Sequence, residues 1–304
     1  MQILYKYRAL SERTSEIIRR KKVWLAKPSS LNDPNECRFE PPDAAQVRKV
    51  VADVKSAQLA GFIADAALAQ KYGRSFFTLR GRAINRLLSR IKKSSGLDKK
   101  HKVAQGFLKE VGTPGFSDPY DQPNSIDRIV ERVGIFSLSE DPLNMLMWSH
   151  YGDSHKGVAL GFAASAGSRL ADAKYCRSVH YEDGAMAFDF SVGRLAGDAV
   201  IRNPDGTIRT EGYVQIDDRQ IQNALFTKTT DWAYEKEWRY YEPTFGEYDH
   251  PGELAEVIFG LNMPLKEQEE FAFLCRESLG DSITFRCVTR PNGTQKLQLR
   301  DATV

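Results

Sequence analysis

The amino-acid sequence predicts an α+β fold that carries a large, strongly basic helical insertion. The chain has 304 residues, of which 41% are hydrophobic, and this is enough to bury a substantial core. Short strand-like runs, such as residues 3–7 and 156–162, occur on both sides of a long stretch with helical apolar spacing. We therefore divide the chain into a first part of the core (1–42), a helical insertion (43–112) and the remainder of the core (113–304).

The first part of the core has the pattern of a strand, a helix and a second strand. Residues 3–7 predict the first strand, and Ser11 is a suitable N-cap for a helix at 12–20. Residues 23–26 predict the second strand. Residues 28–42 are rich in Pro, Asn and Asp, which favour turns, so we expect a loop there.

The insertion has two apolar helical patterns, and its second half is basic. Between residues 71 and 109 there are twelve Lys and Arg residues but one acid, Asp98. Arg82, Arg86, Arg90 and Lys93 fall at helical spacing and should share one face. That face is either an ordinary solvated surface or a nucleic-acid-binding surface, and the scarcity of acids keeps the second interpretation open.

The remainder of the core alternates between strand and helix patterns after a Pro/Gly/Asp-rich linker at 112–124. We expect one helix to be capped by Asp141, to start at Pro142 and to end near Gly152. The other predicted helices lie at 216–227 and 264–279. The predicted strands lie at 132–138, 156–162, 178–181, 237–241, 254–260, 282–288 and 296–299.

Composition argues against several classes of protein. The four cysteines form no Cys-x-x-Cys pair, which is typical of free thiols in a reducing compartment. The five histidines and the cysteines have no zinc-site spacing. Apolar runs are much shorter than the roughly 20 residues that a membrane helix needs. We therefore expect a cytoplasmic protein without a membrane span or a metal site.

Three short segments place polar residues where a core pattern would have apolar ones. They are residues 4–8, 136–140 and 232–239. In the third, Glu235 and Glu237 are two apart and would point the same way in an extended chain. Paired carboxylates among aromatic residues are costly to bury, which suggests a function. The alternative is a surface cross-strand salt network of Glu235, Glu237 and Arg239.

The order of these segments resembles the motifs of the arginine-serine-glutamate class of ADP-ribosyltransferases. The resemblance implies a split β-sheet core with Arg8 as the clamp on the NAD phosphates and Ser137 as the residue that positions the catalytic glutamate. It implies that Glu237 is that glutamate and that Glu235 engages the acceptor. The sequence departs from the family at Leu138, where a threonine is usual.

Further residues are expected to contact NAD, namely Tyr5, Ser139, His150, Tyr151 and Lys228. Of these, His150 could stack on nicotinamide or adenine, and Lys228 is a candidate for a phosphate contact. Arg13, Arg19 or Arg20 could take the phosphate-binding role in place of Arg8. For His150 a second interpretation is a hydrogen-bonded interior histidine, with Trp148 and Tyr151 as core residues.

A longer resemblance covers most of the chain outside the insertion. The segments that carry it are 4–8, 24–25, 31–34, 136–139, 147–152 and 234–239. They look like a widespread prokaryotic family of unassigned function, and this resemblance names no reaction.

The leading functional hypothesis is an NAD-dependent ADP-ribosyltransferase that modifies nucleic acid or protein, as a toxin or phage-defence effector that an antitoxin protein could control. One alternative is a metal-independent nuclease or phosphodiesterase with His150 and Glu237 as acid and base. The other is a non-catalytic module that binds nucleic acid through its basic helices.

Overall fold

The structure, a computed structural model, describes residues 2–190, 197–202, 208–213 and 219–304. The strands are β1 (Gln2–Arg8), β2 (Lys22–Leu25), β3 (Gly134–Ser139), β4 (Val158–Ala164), β5 (Cys176–Ser178), β6 (His180–Tyr181), β7 (Gly197–Arg202), β8 (Ile208–Tyr213), β9 (Thr227–Lys228), β10 (Glu237–Glu242), β11 (Gly246–Asp249), β12 (Glu253–Phe259), β13 (Thr284–Thr289) and β14 (Gln298–Asp301). The helices are α1 (Glu12–Arg20), α2 (Ala44–Lys71), α3 (Arg82–Lys93), α4 (Leu97–Glu110), α5 (Asp121–Val130), α6 (Met145–His150), α7 (Arg219–Leu225) and α8 (Leu265–Leu279). The α+β class is thus confirmed.

The chain forms two compact units. The first unit comprises residues 1–38, 130–185 and 223–304, and the second comprises 39–129 and 186–222. The second unit holds α2, α3 and α4, which lie within the segment 43–112 that the sequence marks as helical. It also includes the hairpin β7–β8, which the sequence did not predict. Residues 216–218 of the predicted helix at 216–227 lie outside the described residues.

The first unit is built on an eight-stranded mixed sheet. Its strand order is β14-β13-β12-β4-β1-β3-β10-β5. One face is covered by α1 and α8, which pack against each other and bury residues such as Ile18 and Phe271 against Phe162. The other face buries Tyr5, Tyr7 and Ala159 against Trp148 of α6. Both faces of the central strands are therefore covered, and strand β4 is almost wholly apolar.

The sheet opens between β1 and β3. These two strands share one paired position, Tyr5 with Ser139. At its other end β3 pairs instead with the end of β2, through Ala26 and Ile135. On its β1 side, the stretch of β3 around Ser137 therefore faces a gap, whereas on its other side it pairs with β10.

Helix α1 follows the sequence prediction, whereas α6 starts later than predicted. Ser11 caps α1 by accepting a hydrogen bond from the backbone N–H of Thr14. The expected cap of α6, Asp141, was wrong: the helix begins at Met145 and Asn144 is its cap. The Asp141 carboxylate instead accepts from the backbone N–H of Leu143, so Asp141 forms a turn before the helix.

Candidate active site

The three polar segments singled out in the sequence converge in the first unit. They lie on β1, β3 and the start of β10, which are adjacent in the sheet. Ser139 is the partner of both Tyr5 and Glu237, and Ser137 is the partner of Arg239. Because side chains alternate along a strand, these five side chains lie on the same face of the sheet.

The two glutamates come together through a turn rather than an extended strand. Glu235 is the last residue of a 3-10 helix, and Glu237 is the first residue of β10. Lys236 between them has φ 45°, a left-handed conformation that reverses the chain direction. The extended Glu235–Lys236–Glu237 segment that would align the two side chains is therefore absent, but both carboxylates still reach one site.

A buried ammonium group joins the carboxylates. Nζ of Lys228 lies 2.7 Å from Oε2 of Glu235, 3.4 Å from Oε2 of Glu237 and 3.9 Å from Oε2 of Glu36. The side chain of Lys228 is 2% exposed. Its charge is therefore committed to three carboxylates, and this placement does not suit the phosphate contact that the sequence suggested.

The turn-rich loop after β2 supplies two of the site's residues. Asp33 accepts a hydrogen bond from the backbone N–H of Asn35, a turn that fixes the loop. The side-chain amide of Asn32 donates to the Tyr151 hydroxyl, and that hydroxyl donates to Glu235 Oε1 over 2.7 Å. The same loop carries Glu36 into the cluster. Sequence reasoning missed Glu36, because the turn residues around it explain the loop without any function.

Arg239 is the second buried cation of the cluster. Its side chain is 0% exposed, and Nε lies 2.9 Å from Oε1 of Glu237. One terminal nitrogen donates to Glu36, and the other donates to the Leu225 carbonyl over 2.6 Å. The alternative of a surface salt network was therefore wrong as to location, since the network is buried.

Electrostatics fixes Glu237 in its charged form. Burial opposes that charge, but Arg239, Lys228 and a hydrogen bond from Ser137 outweigh it and lower the pKa of Glu237 to about 2. For Glu36, burial dominates over Arg239 and raises the pKa. Burial also disfavours the positive charge of Lys228, but the surrounding carboxylates outweigh burial and raise the pKa of this ammonium. Glu237 is thus a permanent anion at neutral pH.

Two cavities meet beside this cluster. The smaller has a volume of about 260 Å³ and is lined by Tyr5, Tyr7, Ser137, Tyr151, Lys228, Glu235 and Glu237, among others. The larger has a volume of about 600 Å³ and is lined by Lys6, Arg8, Arg13 and Phe136, among others. Lys6, Ala26, Leu31 and Ser137 line both cavities, which places the junction at the gap between β1 and β3. Nζ of Lys6 donates to the Ser137 carbonyl there, over 2.8 Å.

Two of the predicted site residues, Ser139 and His150, line neither cavity. Ser139 is fully buried, and its hydroxyl donates to the Glu235 carbonyl over 2.6 Å, so it holds the chain that carries Glu235 rather than facing either cavity. His150 is exposed at the end of α6, so the interpretation as an interior histidine was wrong. It lines neither of the two cavities, although its ring lies 6.4 Å from that of Tyr234.

The basic face of the second unit lies on α3. Arg82, Arg86, Arg90 and Lys93 are all exposed, opposite the buried Ile84, Leu87 and Ile91. Within the described parts of the chain, none of these four cations has a carboxylate within ion-pairing distance. A groove of about 410 Å³ between α3 and α4 is lined by Arg90, Lys99 and Lys102, with Glu110 as its acidic residue.

Comparison with known proteins gives one match. Residues 147–240 match a family described as "Protein of unknown function (DUF2971)". The matched segment is less than half of the chain and includes most of α6, Lys228 and the pair of glutamates. It supports the resemblance to a family of unassigned function. No curated protein and no solved structure matches the chain.

Among the residues that the structure describes, no helix combines the length and apolar character required to cross a bilayer. Within the same ranges there is no group of His, Cys, Asp and Glu side chains that could hold a metal ion.

Proposed function

We propose that this protein is an NAD-dependent ADP-ribosyltransferase whose active site is the pair of cavities beside Glu235 and Glu237. The observation that carries the proposal is the shared wall of the two cavities. Ser137 and Lys6 line both, so one ligand could contact the cations near Arg8 and the glutamates at once. Combined cavities of this size are in the range that binds cofactor-sized ligands, about 300–1,000 Å³.

The charge distribution suits the two ends of a dinucleotide. Arg8 and Arg13 provide guanidinium groups for a diphosphate, a ligand that matches their planar donor geometry. Glu235 and Glu237 provide negative charge at the other end. In the proposed reaction the bond between the ribose C1′ and nicotinamide breaks, and its electron pair leaves with nicotinamide. The acceptor then bonds to C1′ and gives up a proton.

The state of Glu237 favours this chemistry over acid–base hydrolysis of a phosphodiester. A carboxylate that stays charged in a dry site stabilises positive charge developing at the sugar. A general acid or base works best with a pKa near the operating pH, and the pKa of Glu237 is about 2. His150, the expected partner in a nuclease, lines neither cavity.

The test is incubation of the purified protein with NAD labelled in its adenylate half. We expect release of nicotinamide and transfer of label to RNA, DNA or a protein from a cell lysate. The variant that removes the proposed catalytic charge is Glu237→Gln, and its matched control is Glu242→Gln, which changes a buried glutamate that lines neither cavity. Absence of both NAD consumption and NAD binding in the parent protein would refute the proposal.

Nucleic acid is the acceptor or partner that the second unit favours. The exposed face of α3 presents Arg82, Arg86, Arg90 and Lys93 without carboxylate partners in the described residues. Like charges on one face repel one another, and a phosphate backbone across them would relieve that repulsion. The groove between α3 and α4 extends this basic surface.

Charge reversal on α3 should weaken nucleic-acid binding. For Arg82→Glu, Arg86→Glu and Arg90→Glu together, we expect the slope of log affinity against log salt to flatten by roughly 2–3, because each phosphate contact contributes about 0.7–0.9. Filter binding or fluorescence anisotropy at several salt concentrations measures this slope. The control is reversal of three exposed cations of the first unit, Arg290, Lys296 and Arg300. Equal effects of both triple variants would show that α3 is not the contact.

A further inference from the structure

The larger cavity contains features that Glu235 and Glu237 do not explain. Its lining includes five cationic side chains, Lys6, Arg8, Arg13, Arg20 and Lys22, and two acidic ones, Glu16 and Glu247. It also includes the aromatic side chains of Trp24 and Phe136. A cavity that combines cations with an aromatic wall is suited to a ligand with both an anionic group and a flat ring.

Two of the five cations are already paired. Arg20 lies 2.5 Å from Glu247, and Lys22 lies 2.6 Å from Asp249. These pairs link α1 and β2 to β11, and they are exposed. Because these carboxylates already pair with Arg20 and Lys22, the two cations have little charge to offer a ligand in the cavity.

The other three cations lack a carboxylate partner in the residues that the structure describes. Arg8 donates to the Thr14 hydroxyl over 3.3 Å, and Lys6 donates to the Ser137 carbonyl. Burial, followed by repulsion from Arg13, lowers the pKa of Arg8. Burial, followed by repulsion from Arg8, lowers the pKa of Lys6 to about 8. Three mutually repelling cations beside a cavity form a site that an anion would stabilise.

Trp24 supplies a flat surface at the same cavity. Its side chain is 62% exposed, although it lies on β2 between the buried Val23 and Leu25. The alternation of β2 explains why residue 24 points away from the core, but a smaller polar residue would satisfy that position equally well. An exposed tryptophan on a cavity wall can stack on a nucleobase, and such stacking contributes to affinity whatever the base.

We propose that the larger cavity is a nucleoside-phosphate site, in which Lys6, Arg8 and Arg13 bind the phosphate and Trp24 stacks on the base. This inference rests on the proposed function, since it assigns the cavity to the adenylate half of NAD. The nicotinamide end would then lie in the smaller cavity, beside Glu235 and Glu237. Trp24 is a binding residue here, because it touches the ligand away from the bond that breaks.

The test compares AMP with ribose 5-phosphate, which lacks the base, by isothermal titration calorimetry. For Trp24→Ala we expect AMP to bind 5-fold to 100-fold more weakly, with the affinity for ribose 5-phosphate unchanged. Trp24→Phe should restore most of the loss, because a phenyl ring also stacks. The control is Phe245→Ala, an aromatic residue that is 47% exposed and does not line the cavity.

The role of the cations is tested with two further variants, Arg13→Ala and Lys6→Arg. Arg13→Ala should weaken the binding of AMP and of ribose 5-phosphate equally, since both ligands carry the phosphate. The Lys6 ammonium is affected by Arg8 and Lys228, which disfavour its charge, and by Glu235 and Glu237, which favour it. As pH rises through about 8 the ammonium loses its proton, so AMP affinity should fall between pH 7 and 9. Lys6→Arg should abolish this fall, because a phosphate monoester, with a second pKa of about 6, stays charged.

The outcomes separate this inference from the proposed function. Trp24-dependent binding of AMP supports the nucleotide site, even if the protein does not consume NAD. NAD consumption that is indifferent to Trp24→Ala, with equal AMP affinity in parent and variant, overturns the site but leaves the transferase proposal standing. Failure of the parent protein to bind either AMP or ribose 5-phosphate also overturns it.

Discussion

Replacement of Glu237 by glutamine is expected to lower NAD consumption by a factor of about 10²–10³, which is typical when a preorganised group that stabilises transition-state charge is removed. The physical reason is that glutamine keeps the shape of the side chain and removes a charge that Arg239 and Lys228 hold at every pH above about 2. The rate of nicotinamide release at saturating NAD, measured by chromatography, gives the size of the change. A variant that retains more than half of the parent rate would show that Glu237 is not the catalytic glutamate.

Two variants separate the roles within the pair of glutamates. Glu235→Gln should lower transfer of ADP-ribose to the acceptor more than it lowers hydrolysis of NAD, because Glu235 is assigned to the acceptor. Glu237→Gln should lower both equally, because both reactions pass through the same break at C1′. The unfolding midpoint of each variant is the control for an indirect effect, since both side chains belong to a buried ion cluster.

Replacement of Arg239 by methionine is expected to cost about 3–5 kcal/mol of unfolding free energy, because it leaves buried carboxylates without their partner. Arg239 is fully buried and contacts Glu237, Glu36 and the Leu225 carbonyl. Urea denaturation followed by circular dichroism measures the loss. The matched control is Arg169→Met, whose pair with Glu242 is exposed on the arginine side and should be worth less than about 1 kcal/mol.

The destabilisation by Arg239→Met should depend on pH. In the parent protein the folded pKa of Glu237 is about 2, below its ordinary value, so its ion pairs stabilise the fold above pH 4.5 and lose that effect as pH falls toward 2. Without Arg239 this carboxylate and that of Glu36 take up protons more readily. The difference between parent and variant should therefore shrink from pH 7 to pH 4. A loss that is constant with pH would indicate a packing defect instead.

The amino-acid sequence by itself determined the elements whose signals are local. Ser11 and the apolar positions Ile17 and Ile18 define α1 within residues 12–20, and the structure has the same bounds. The apolar run of β4 and the helical spacing of α3 are equally local, since each reflects which side of one element is buried. The prediction of where α6 starts failed because Asp141 and Asn144 are both suitable caps, and the choice between them depends on contacts elsewhere in the fold.

The candidate site was predicted in part, because its polar segments stand out against their strands. Glu235, Glu237 and Ser137 were selected on that basis and Tyr151 as an expected contact with NAD, and all four line the smaller cavity. Glu36 and Trp24 were not selected as site residues. Glu36 lies in a loop whose composition is explained by turns, so nothing in the sequence marks it as a site residue. Trp24 looks like any aromatic residue of a strand.

Only the tertiary structure decided how these residues meet. Strand order places β1, β3 and β10 side by side, although long stretches of chain separate them, and no local pattern encodes that pairing. The left-handed turn at Lys236 directs the glutamates into one cluster, and the depth of Arg239 makes that cluster a buried one. Sequence periodicity reports which face of an element is buried, whereas the charge of a site depends on which elements bring their charges together, and the fold alone sets that.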